Sequence, residues 1–437
     1  IQGNGSAVFD GAALDSRRIR GGELFFALPG EHADGHDFVA TALAAGASAA
    51  VVTRAVDVAA DATLVAVDDS FAALHRLTRW VRRQVPEALI GLTGSAGKTT
   101  TKEFLVQLLS GRFRVAGSPG NLNNLYGFPL ALMSIPDDTE WMVAEMGMST
   151  PGELAGVSRL GCPEVAVLLN IGQAHLEGFE GDGRAAGLRQ IAEAKSGLLE
   201  GLVEGGRIVA NGRDPEIAWI VDRYRRERDA TVRVVWFGVD DEADPELELQ
   251  ADRVELAADQ RGSTFRLVDR FGEKPQEMEV TLPVHGLVNV ENFVAAAACA
   301  RCLGVPLEEV AAAAASLRPE SGRGRLLRSA SGARIIDDSY NANPEATRKA
   351  LEAARALPGS RHLCVLGEML ELGQSGARLH REAGVAAAEL GFGPIFGVGE
   401  LARELVAAAR DAGADAQWFA DADAVVTWFR EHPEALG

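Results

Sequence analysis

Short apolar runs alternate with glycine turns and amphipathic stretches along the whole chain. In the first 85 residues, "ELFFAL" and "ASAAVVT" predict short strands, and "FVATALAAG" predicts a helix between them. The stretch "SFAALHRLTRWVRRQV" has apolar residues at helical spacing, which predicts an amphipathic helix that leads out of this block. We interpret residues 1–85 as a first α/β domain.

Continuous apolar runs dominate a second block, residues 86–317. "EALIGL", "WMVAE" and "EVAVLLN" are uninterrupted, as parallel strands covered on both faces are. The helix predicted for "TTTKEFLVQLLSG" has one apolar stripe, formed by Phe104, Leu105, Leu108 and Leu109. Alternating polarity from Thr231 to Val284 predicts antiparallel hairpins at the sheet edge, and an alanine-rich helical stretch follows.

The last block, residues 318–437, again mixes strands and helices. "ARIIDD", "HLCVLGE", "PIFGVG" and "AQWFA" each adjoin a helical segment, which predicts a second doubly wound sheet. The predicted fold class is therefore α/β in three domains. These are an N-terminal α/β domain, a central P-loop ATPase-like parallel sheet with an antiparallel edge, and a C-terminal Rossmann-like domain.

Length and charge narrow the classes of function. The chain has 437 residues, more than one hydrophobic core accommodates, which agrees with several domains. Its 43 Lys and Arg residues against 62 Asp and Glu residues give a net charge of −19. That charge argues against nucleic acid or an anionic membrane as the main partner. We see no signal-peptide pattern and no apolar run long enough to span a bilayer.

The four cysteines indicate a reducing compartment. Cys299 and Cys302 have the spacing of a metal or redox pair, but they lie in the alanine-rich run "ENFVAAAACARCLG" without a second pair or a nearby His. We expect buried helical thiols there and no disulfide framework. A cytoplasmic protein is the resulting expectation.

A glycine-rich loop, "GLTGSAGKTT", follows the first strand of the central block and precedes a helix. This placement turns backbone N–H groups and the helix N-terminus toward phosphates. Lys98 is expected to reach the outer phosphates, and Thr99 to ligate Mg²⁺. A turn that merely caps a helix is the alternative, but strand, loop, Lys, Thr and helix all agree with nucleotide binding. The predicted loop contacts are Gly94, Ser95, Ala96, Gly97, Lys98, Thr99 and Thr100.

Two further polar residues follow neighbouring strands. Glu145 ends "WMVAE", and His175 follows "EVAVLLN", so both are expected at the carboxyl edge of the sheet near the phosphates. A strand-end cap and an ordinary loop histidine remain the alternatives. Composition alone predicts that Lys195, on a helix, faces solvent. Asn343 and Pro344 predict a helix start, with Asn343 as the N-cap.

Taken together, the motifs resemble the Mur ligases, the ATP-dependent amide-forming enzymes of peptidoglycan precursor synthesis. The resemblance covers essentially the whole chain, through "GLTGSAGKTTTKE", "GNLNNLYGFPL", "EMGM", "NIGQAHLEGF" and "IAEAKSGL" in the family's order. "DDSYNANPEA", "VLGEMLELGQSGARLHREAG" and "LDSRRIRGGELFFALPGEHADGHDF" resemble the member that joins D-Ala-D-Ala to a UDP-muramoyl tripeptide. The resemblance thus implies three small-molecule substrates, the tripeptide, D-Ala-D-Ala and ATP. A monomer is the expectation, and the sequence leaves the oligomeric state open.

Roles for individual residues follow from this resemblance. It implies Mg²⁺, two ions being expected, held by Thr99, Glu145, His175 and Lys195, with Lys195 carbamoylated by CO₂. The residues implied in catalysis are Lys98, Lys195, His175 and Glu145. Asn289 and Asn292 would contact adenine, Asp338 the ribose, and Arg325 the phosphates. The implied substrate-binding residues are Ser16, Arg17, Asn123, Asn124, Tyr340, Asn341 and Asn343.

The chain departs from the family pattern at two positions. Val288 stands where the family has a His, and Glu368 stands where Asp is usual. The alternatives that stay open are a sister Mur ligase and a folylpolyglutamate synthase. From other classes, a P-loop kinase and a non-catalytic nucleotide-gated binding protein remain. The sequence also leaves open whether the third residue of the tripeptide is diaminopimelate or lysine.

Overall fold

The computed structural model describes residues 2–30, 33–85, 88–172, 184–256, 262–284, 286–318, 322, 324–329, 331–340, 342–370 and 372–436. The N-terminal part forms a parallel sheet in the order β1-β2-β3-β4. Its strands are β1 (Ala12–Ala13), β2 (Leu24–Phe26), β3 (Ala49–Val52) and β4 (Leu64–Ala66). Its helices are α1 (Val39–Ala44) and α2 (Ser70–Gln84), as the apolar pattern predicts.

The central part is built on one large sheet. Its strands are β5 (Ala88–Thr93), β6 (Val115–Gly117), β7 (Trp141–Glu145), β8 (Val165–Leu168), β9 (Arg207–Asn211), β10 (Arg233–Val239), β11 (Leu249–Leu256), β12 (Ser263–Asp269) and β13 (Gln276–Leu282). Their order is β13-β12-β11-β10-β9-β8-β5-β7-β6. The helices are α3 (Lys98–Leu109), α4 (Gly127–Met133), α5 (Glu153–Gly161), α6 (Arg184–Ser196), α7 (Pro215–Glu227), α8 (Leu287–Cys302) and α9 (Leu307–Ala314).

Both faces of the central sheet are covered, which explains its uninterrupted apolar strands. Leu89 and Ile90, adjacent in β5, join different core clusters because successive side chains point to opposite faces. Ile90 packs in the cluster that contains Phe104 of α3 and Phe293 of α8. Leu89 packs in the cluster that contains Leu154 of α5. The phosphate loop between β5 and α3 is therefore supported on both sides.

The expected edge hairpins are only partly correct. β10 pairs in parallel with both β9 and β11, and antiparallel pairing begins between β11 and β12 and continues to β13. The prediction of antiparallel hairpins from Thr231 onward is thus wrong for β10 and its pairing with β11. Alternating polarity shows which face of a strand is buried, but it carries no information about the direction of the neighbouring strand.

The C-terminal part has a parallel sheet in the order β16-β17-β18 and a separate antiparallel pair, β14-β15. The strands are β14 (Arg325–Arg328), β15 (Arg334–Asp337), β16 (Cys364–Leu366), β17 (Ile395–Val398) and β18 (Ala416–Phe419). The helices are α10 (Pro344–Arg355), α11 (Gly376–Glu389), α12 (Ala402–Asp411) and α13 (Ala422–Glu431). The βα alternation is confirmed for β16 to β18, whereas β15 pairs with β14 outside that sheet.

Helix composition bears on membrane insertion. Within the described ranges, every helix is too short or too polar to cross a bilayer.

Candidate active site

The phosphate loop joins β5 to α3 with Gly97 at the start of the helix. Gly97 has a φ of 80°, a conformation that glycine adopts without steric cost. A Cβ at this position would lie 2.1 Å from Oδ1 of Asn292, on α8. The same Asn292 oxygen accepts a hydrogen bond from Thr101 Oγ1 at 3.3 Å. The close approach of α8 therefore requires glycine at position 97.

Asn170 and Ser95 hold the loop from the other side. The Asn170 side chain accepts from Ala96 N at 2.9 Å and donates to Ala96 O at 3.1 Å. Ser95 Oγ accepts from Gly172 N at 2.8 Å and donates to Gly172 O at 3.0 Å. These bonds tie the loop to the chain that leaves β8. Asn170 was not predicted from the sequence, although an Asn two residues after β8, the strand beside β5, was the available signal.

Glu145 is the centre of the polar network at this edge. It is 5% exposed, and its two carboxylate oxygens accept from Thr99 Oγ1 at 2.8 Å and Asn123 Nδ2 at 2.9 Å. Its backbone N–H donates to Ser118 Oγ at 3.1 Å. The structure thus brings Thr99, Asn123 and Glu145 together, and their roles toward metal ions and substrate stay predictions. Ser118, which orients Glu145, follows the short edge strand β6 and was not found from the sequence.

Lys195 is buried beside the loop, with 2% exposure, so the expectation of a solvent-facing side chain is wrong. Its Nζ donates to Gly94 O at 3.2 Å, and Lys98 Nζ donates to the same oxygen at 2.9 Å. Burial lowers the pKa of Lys195 well below its usual value, Lys98 lowers it further, and Glu145 opposes the shift. The structure therefore favours a neutral amine at this position.

The predicted metal ligands are placed only in part. His175 lies outside the described residues. Among the residues described, no group of three or more His, Cys, Asp and Glu side chains could hold a metal ion. The predicted ligand set differs from such a group, because two of its members, the Thr99 hydroxyl and a modified Lys195, are not His, Cys, Asp or Glu side chains.

Asn124 has a structural role at the start of α4. Its Oδ1 accepts from the N–H groups of Tyr126 at 3.1 Å and Gly127 at 2.8 Å. Asn123, the preceding residue, bonds Glu145 instead. Of the two asparagines predicted to bind substrate, the structure places only Asn123 on the phosphate network.

The residues predicted for adenosine come from two parts of the chain. Asn289 is near the start of α8, and its Nδ2 would lie 3.8 Å from a Cβ at Gly324, the residue before Arg325. Arg325 is exposed and pairs in register with Asp337, which precedes Asp338. Asn292 is buried against the phosphate loop. Contacts of these residues with adenine, ribose and phosphate stay predictions.

Ser16 and Arg17 follow β1 at the carboxyl edge of the N-terminal sheet. Ser16 is buried, whereas Arg17 is exposed and pairs with Asp15 at 2.8 Å. The side-chain hydrogen bond from Arg17 lowers the pKa of Asp15 to about 2. Parallel sheets bind ligands at this edge, and contact of Ser16 and Arg17 with a uridine nucleotide stays a prediction.

The segment before α10 faces the phosphate loop. Asn343 caps α10 as predicted, because its Oδ1 accepts from Ala346 N at 2.9 Å. Glu345, in the first turn, lies against Gly172: a Cβ there would be 1.9 Å from Glu345 Oε2. Tyr340 is 47% exposed, and Asn341 lies outside the described residues. Gly172 therefore lies between Glu345, at the start of α10, and Ser95 of the phosphate loop, and contacts both.

The two departures from the family pattern occupy different settings. Val288 is half-buried in the first turn of α8. Glu368 accepts a hydrogen bond from the backbone N–H of Glu400, in the loop after β17. A Cβ at Gly399 would lie 2.0 Å from Glu368 Oε1, so the longer carboxylate packs onto a glycine of φ 97°.

Known sequence families match most of the chain. The Mur ligase middle domain matches residues 92–300, and the Mur ligase glutamate ligase domain matches residues 322–434. The Mur ligase family catalytic domain matches residues 9–82. The UDP-N-acetylmuramoyl-tripeptide–D-alanyl-D-alanine ligase of Escherichia coli is 33% identical over 420 residues. That match covers 96% of this chain and 87% of the relative.

Solved structures of MurF ligases resemble the fold of this chain. MurF from Acinetobacter baumannii superposes with a TM-score of 0.80 and 32% identity, covering 96% of this chain and 87% of that one. MurF ligase from Thermotoga maritima in complex with ADP superposes with a TM-score of 0.75 and 28% identity. It covers 92% of this chain and 87% of that one.

Proposed function

We propose that this chain, which belongs to the Mur ligase family, is the ATP-dependent ligase that joins D-Ala-D-Ala to a UDP-N-acetylmuramoyl tripeptide in peptidoglycan precursor synthesis. The observation that carries the proposal is the meeting of the phosphate loop with the start of α10. Gly172 bonds Ser95 of the loop and lies against Glu345 of α10. Two domains thus meet where a phosphoryl group would be transferred, as an amide ligase requires.

The proposed reaction has two steps. An oxygen of the tripeptide carboxylate attacks the γ-phosphorus of ATP, the bond to ADP breaks, and an acyl phosphate forms. The amine of D-Ala-D-Ala then attacks the carbonyl carbon. The tetrahedral intermediate collapses with loss of phosphate and one proton, and leaves the UDP-linked pentapeptide. The phosphate is a good leaving group, which replaces one difficult step by two easier ones.

The residues at the carboxyl edge fit Mg²⁺. The Thr99 hydroxyl and the Glu145 carboxylate are buried, 2.8 Å apart, and supply the oxygen ligands that Mg²⁺ prefers. We propose that these two residues hold it, with His175 and carbamoylated Lys195 completing the predicted set. When bound, Mg²⁺ offsets the negative charge that develops on the phosphate oxygens. Lys98, beside Gly94, would contribute a second positive charge.

Carbamoylation of Lys195 is supported by its surroundings. An amine reacts with CO₂ only in its neutral form, and burial lowers the pKa of Lys195 well below its usual value. A carbamate would turn the buried amine into an oxygen ligand near Glu145. This modification is the chemical reason to place a lysine at a magnesium site, since an ammonium group repels the ion.

The proposal includes the domain limits, the partners and the compartment. We assign residues 1–85 to the uridine-nucleotide domain, 86–317 to the ATP domain and 318–437 to the Rossmann-like domain, because the three groups of strands separate at these points. We further propose a monomeric, cytoplasmic enzyme that acts on small molecules. All four cysteines, each within the described ranges, are free thiols, which agrees with a reducing compartment.

The experiment that tests the function follows one oxygen atom. The terminal carboxylate of the UDP-tripeptide is labelled with heavy oxygen, and the protein is supplied with ATP, Mg²⁺ and D-Ala-D-Ala. One labelled oxygen is expected in each phosphate released, in proportion to amide formed. Pentapeptide formed together with unlabelled phosphate would contradict the acyl phosphate.

Omitting substrates separates the alternatives. Phosphate release is expected only when both the UDP-tripeptide and D-Ala-D-Ala are present. Equal turnover with a free amino acid in place of the dipeptide would favour a sister ligase. Phosphate transfer to a hydroxyl compound would favour a kinase.

A further inference from the structure

Lys102 is a charged side chain in the protein interior whose role neither the glycine loop nor the family resemblance explains. It lies on α3, one turn after Lys98, and it is 2% exposed. Burial of an ammonium group is costly unless the protein supplies partners for its N–H groups. The groups that Lys102 binds therefore indicate what this lysine does.

The ammonium group of Lys102 reaches from α3 to the end of the edge strand β6. Its Nζ donates to Ser118 O at 2.7 Å and lies 3.2 Å from Oε1 of Glu103. The Glu103 side chain is 34% exposed, so it balances the buried charge from the solvent side. The stem of the lysine passes Gly117, where a Cβ would lie 3.8 Å from Lys102 Cδ. The bond to Ser118 is thus the inner end of this side chain.

Ser118 connects Lys102 to the neighbouring strand β7. It is 2% exposed, its N–H donates to Val143 O at 2.9 Å, and its Oγ accepts from the backbone N–H of Glu145 at 3.1 Å. Val143 and Glu145 both belong to β7, whereas Lys102 holds the Ser118 carbonyl from α3. Because β6 has three residues and lies at the edge of the sheet, the lysine fixes its end from outside the sheet.

Two polar groups at the phosphate edge depend on where Ser118 lies. The Glu145 carboxylate accepts from Thr99 Oγ1 at 2.8 Å and from Asn123 Nδ2 at 2.9 Å. Asn123 follows Ser118 in the connection from β6 to α4, and its carbonyl accepts from Gly147 N at 2.8 Å. A displacement of Ser118 would therefore shift the carboxylate and the amide together, relative to the Thr99 hydroxyl.

We propose that Lys102 is a positioning residue of the active site, which sets the place of the Glu145 carboxylate through Ser118 and thereby the affinity for a divalent cation. This inference rests on the proposed function, which assigns Mg²⁺ to Thr99 and Glu145. The ammonium group itself would repel a cation, so its contribution is the alignment of the oxygen ligands. Groups that orient metal ligands affect metal affinity nearly as strongly as the ligands do.

The test measures binding of Mn²⁺, which takes the same oxygen ligands as Mg²⁺, by equilibrium dialysis with equal ADP concentrations on both sides of the membrane. Lys102→Met removes the ammonium group and keeps a long side chain. The Kd for Mn²⁺ is expected to rise about 10-fold or more, the usual effect of losing a group that orients a metal ligand. Lys102→Arg is expected to regain part of the affinity, because a guanidinium also donates to a carbonyl.

Ser118→Ala tests the path from Lys102 to Glu145. It removes the Oγ that accepts from Glu145 N and keeps the carbonyl that Lys102 binds. This variant is expected to weaken Mn²⁺ binding to a similar extent. Combining it with Lys102→Met is expected to add little, because both changes act on one chain of contacts. Fully additive losses in the double variant would contradict a path through Ser118.

Leu109→Ala is the matched control for stability, because Leu109 is fully buried at the far end of α3, about 10 Å along the helix from Lys102. It is expected to lower the unfolding temperature at least as much as Lys102→Met and to leave the Kd for Mn²⁺ within about two-fold. An unchanged Kd in folded Lys102→Met and Ser118→Ala, or an equal loss in Leu109→Ala, would overturn the inference. A wild-type protein that forms no pentapeptide would refute the proposed function, whatever the Mn²⁺ affinities of the variants.

Discussion

Charged residues occur both at the phosphate edge of the central sheet, around Glu145 and Lys195, and in the gap between α8 and α10, around Lys349. The two regions differ in how deeply these charged side chains are buried. At the phosphate edge, Glu145 and Lys195 are almost fully buried, and each has a hydrogen-bond partner from the protein. In the gap, Lys349 lies 3.3 Å from Glu345 and 3.8 Å from Glu291, with all three side chains more than a third exposed. The first region is held by buried contacts within the protein. The second consists of weak contacts that a ligand can replace at little cost.

The largest effect is expected when the buried amine of Lys195 is removed. Lys195→Ala is expected to lower kcat about 10²–10³-fold or more, because it removes one stabilising group from a water-excluded site. ADP binding is expected to persist, since the loop is held by Asn170 and Asn292. Steady-state kinetics and ADP titration measure the two effects.

Small carboxylic acids supply the control for this variant. If Lys195 acts as a carbamate, acetate or formate is expected to restore part of the activity of Lys195→Ala. Full activity of the variant without any addition would refute the role of Lys195.

A second prediction concerns stability at the same position. The free energy of unfolding of Lys195→Met is expected to exceed that of the wild-type protein by about 1–4 kcal/mol near pH 7, in buffer free of metal and CO₂. The reason is that an apolar side chain avoids the cost of burying an amine. The pKa of Lys195 is lowered on folding, so the native state binds fewer protons than the unfolded state between that lowered pKa and the usual value of 10.5. Wild-type stability therefore rises with pH, and the advantage of the variant shrinks as pH approaches 10.5.

Lys102 provides a matched control for burial. It is equally buried, but its Nζ donates to Ser118 O at 2.7 Å and pairs with Glu103 at 3.2 Å. Lys102→Met is expected to destabilise the protein, because it leaves partners unpaired. Urea unfolding at pH 7 and pH 10 measures both variants, and destabilisation by Lys195→Met at pH 7 would contradict the neutral buried amine.

The smallest effect is expected in the gap. Lys349→Ala is expected to change the free energy of unfolding by less than about 0.5 kcal/mol, because ion pairs exposed to this extent contribute little. Thermal unfolding at low and high salt measures it. A loss of more than about 2 kcal/mol would show that the gap is as firmly built as the phosphate edge.

The sequence predicted this architecture where a pattern has one physical meaning. Continuous apolar strands, the glycine loop and the cap at Asn343 all form as expected, because burial on two faces, phosphate-loop geometry and N-capping each depend on local residues. The direction of β10 was not predictable in this way, since a strand's polarity pattern does not encode its neighbour.

The candidate site was predictable only in part for a related reason. Thr99 and Glu145 were predicted from the glycine loop and the strand end, Asn123 from the resemblance, and the structure brings the three together. Asn170 and Ser118 act through contacts between separate loops, which no local pattern marks. Composition alone predicted a solvent-facing helical lysine at position 195, whereas the resemblance implied a metal ligand there, and the structure shows this side chain buried.

The contact between Gly97 and Asn292 bears on how the protein is made. The hydrogen bond from Thr101 to Asn292 joins residues 191 positions apart. Ribosomes add about 5–20 residues per second, so roughly 10–40 s separate the synthesis of the loop from that of its partner. During this interval the emerging chain has a phosphate loop without the helix that packs against it. The nucleotide site can therefore be completed only late in the translation of the central domain, although its phosphate loop is synthesised near the beginning.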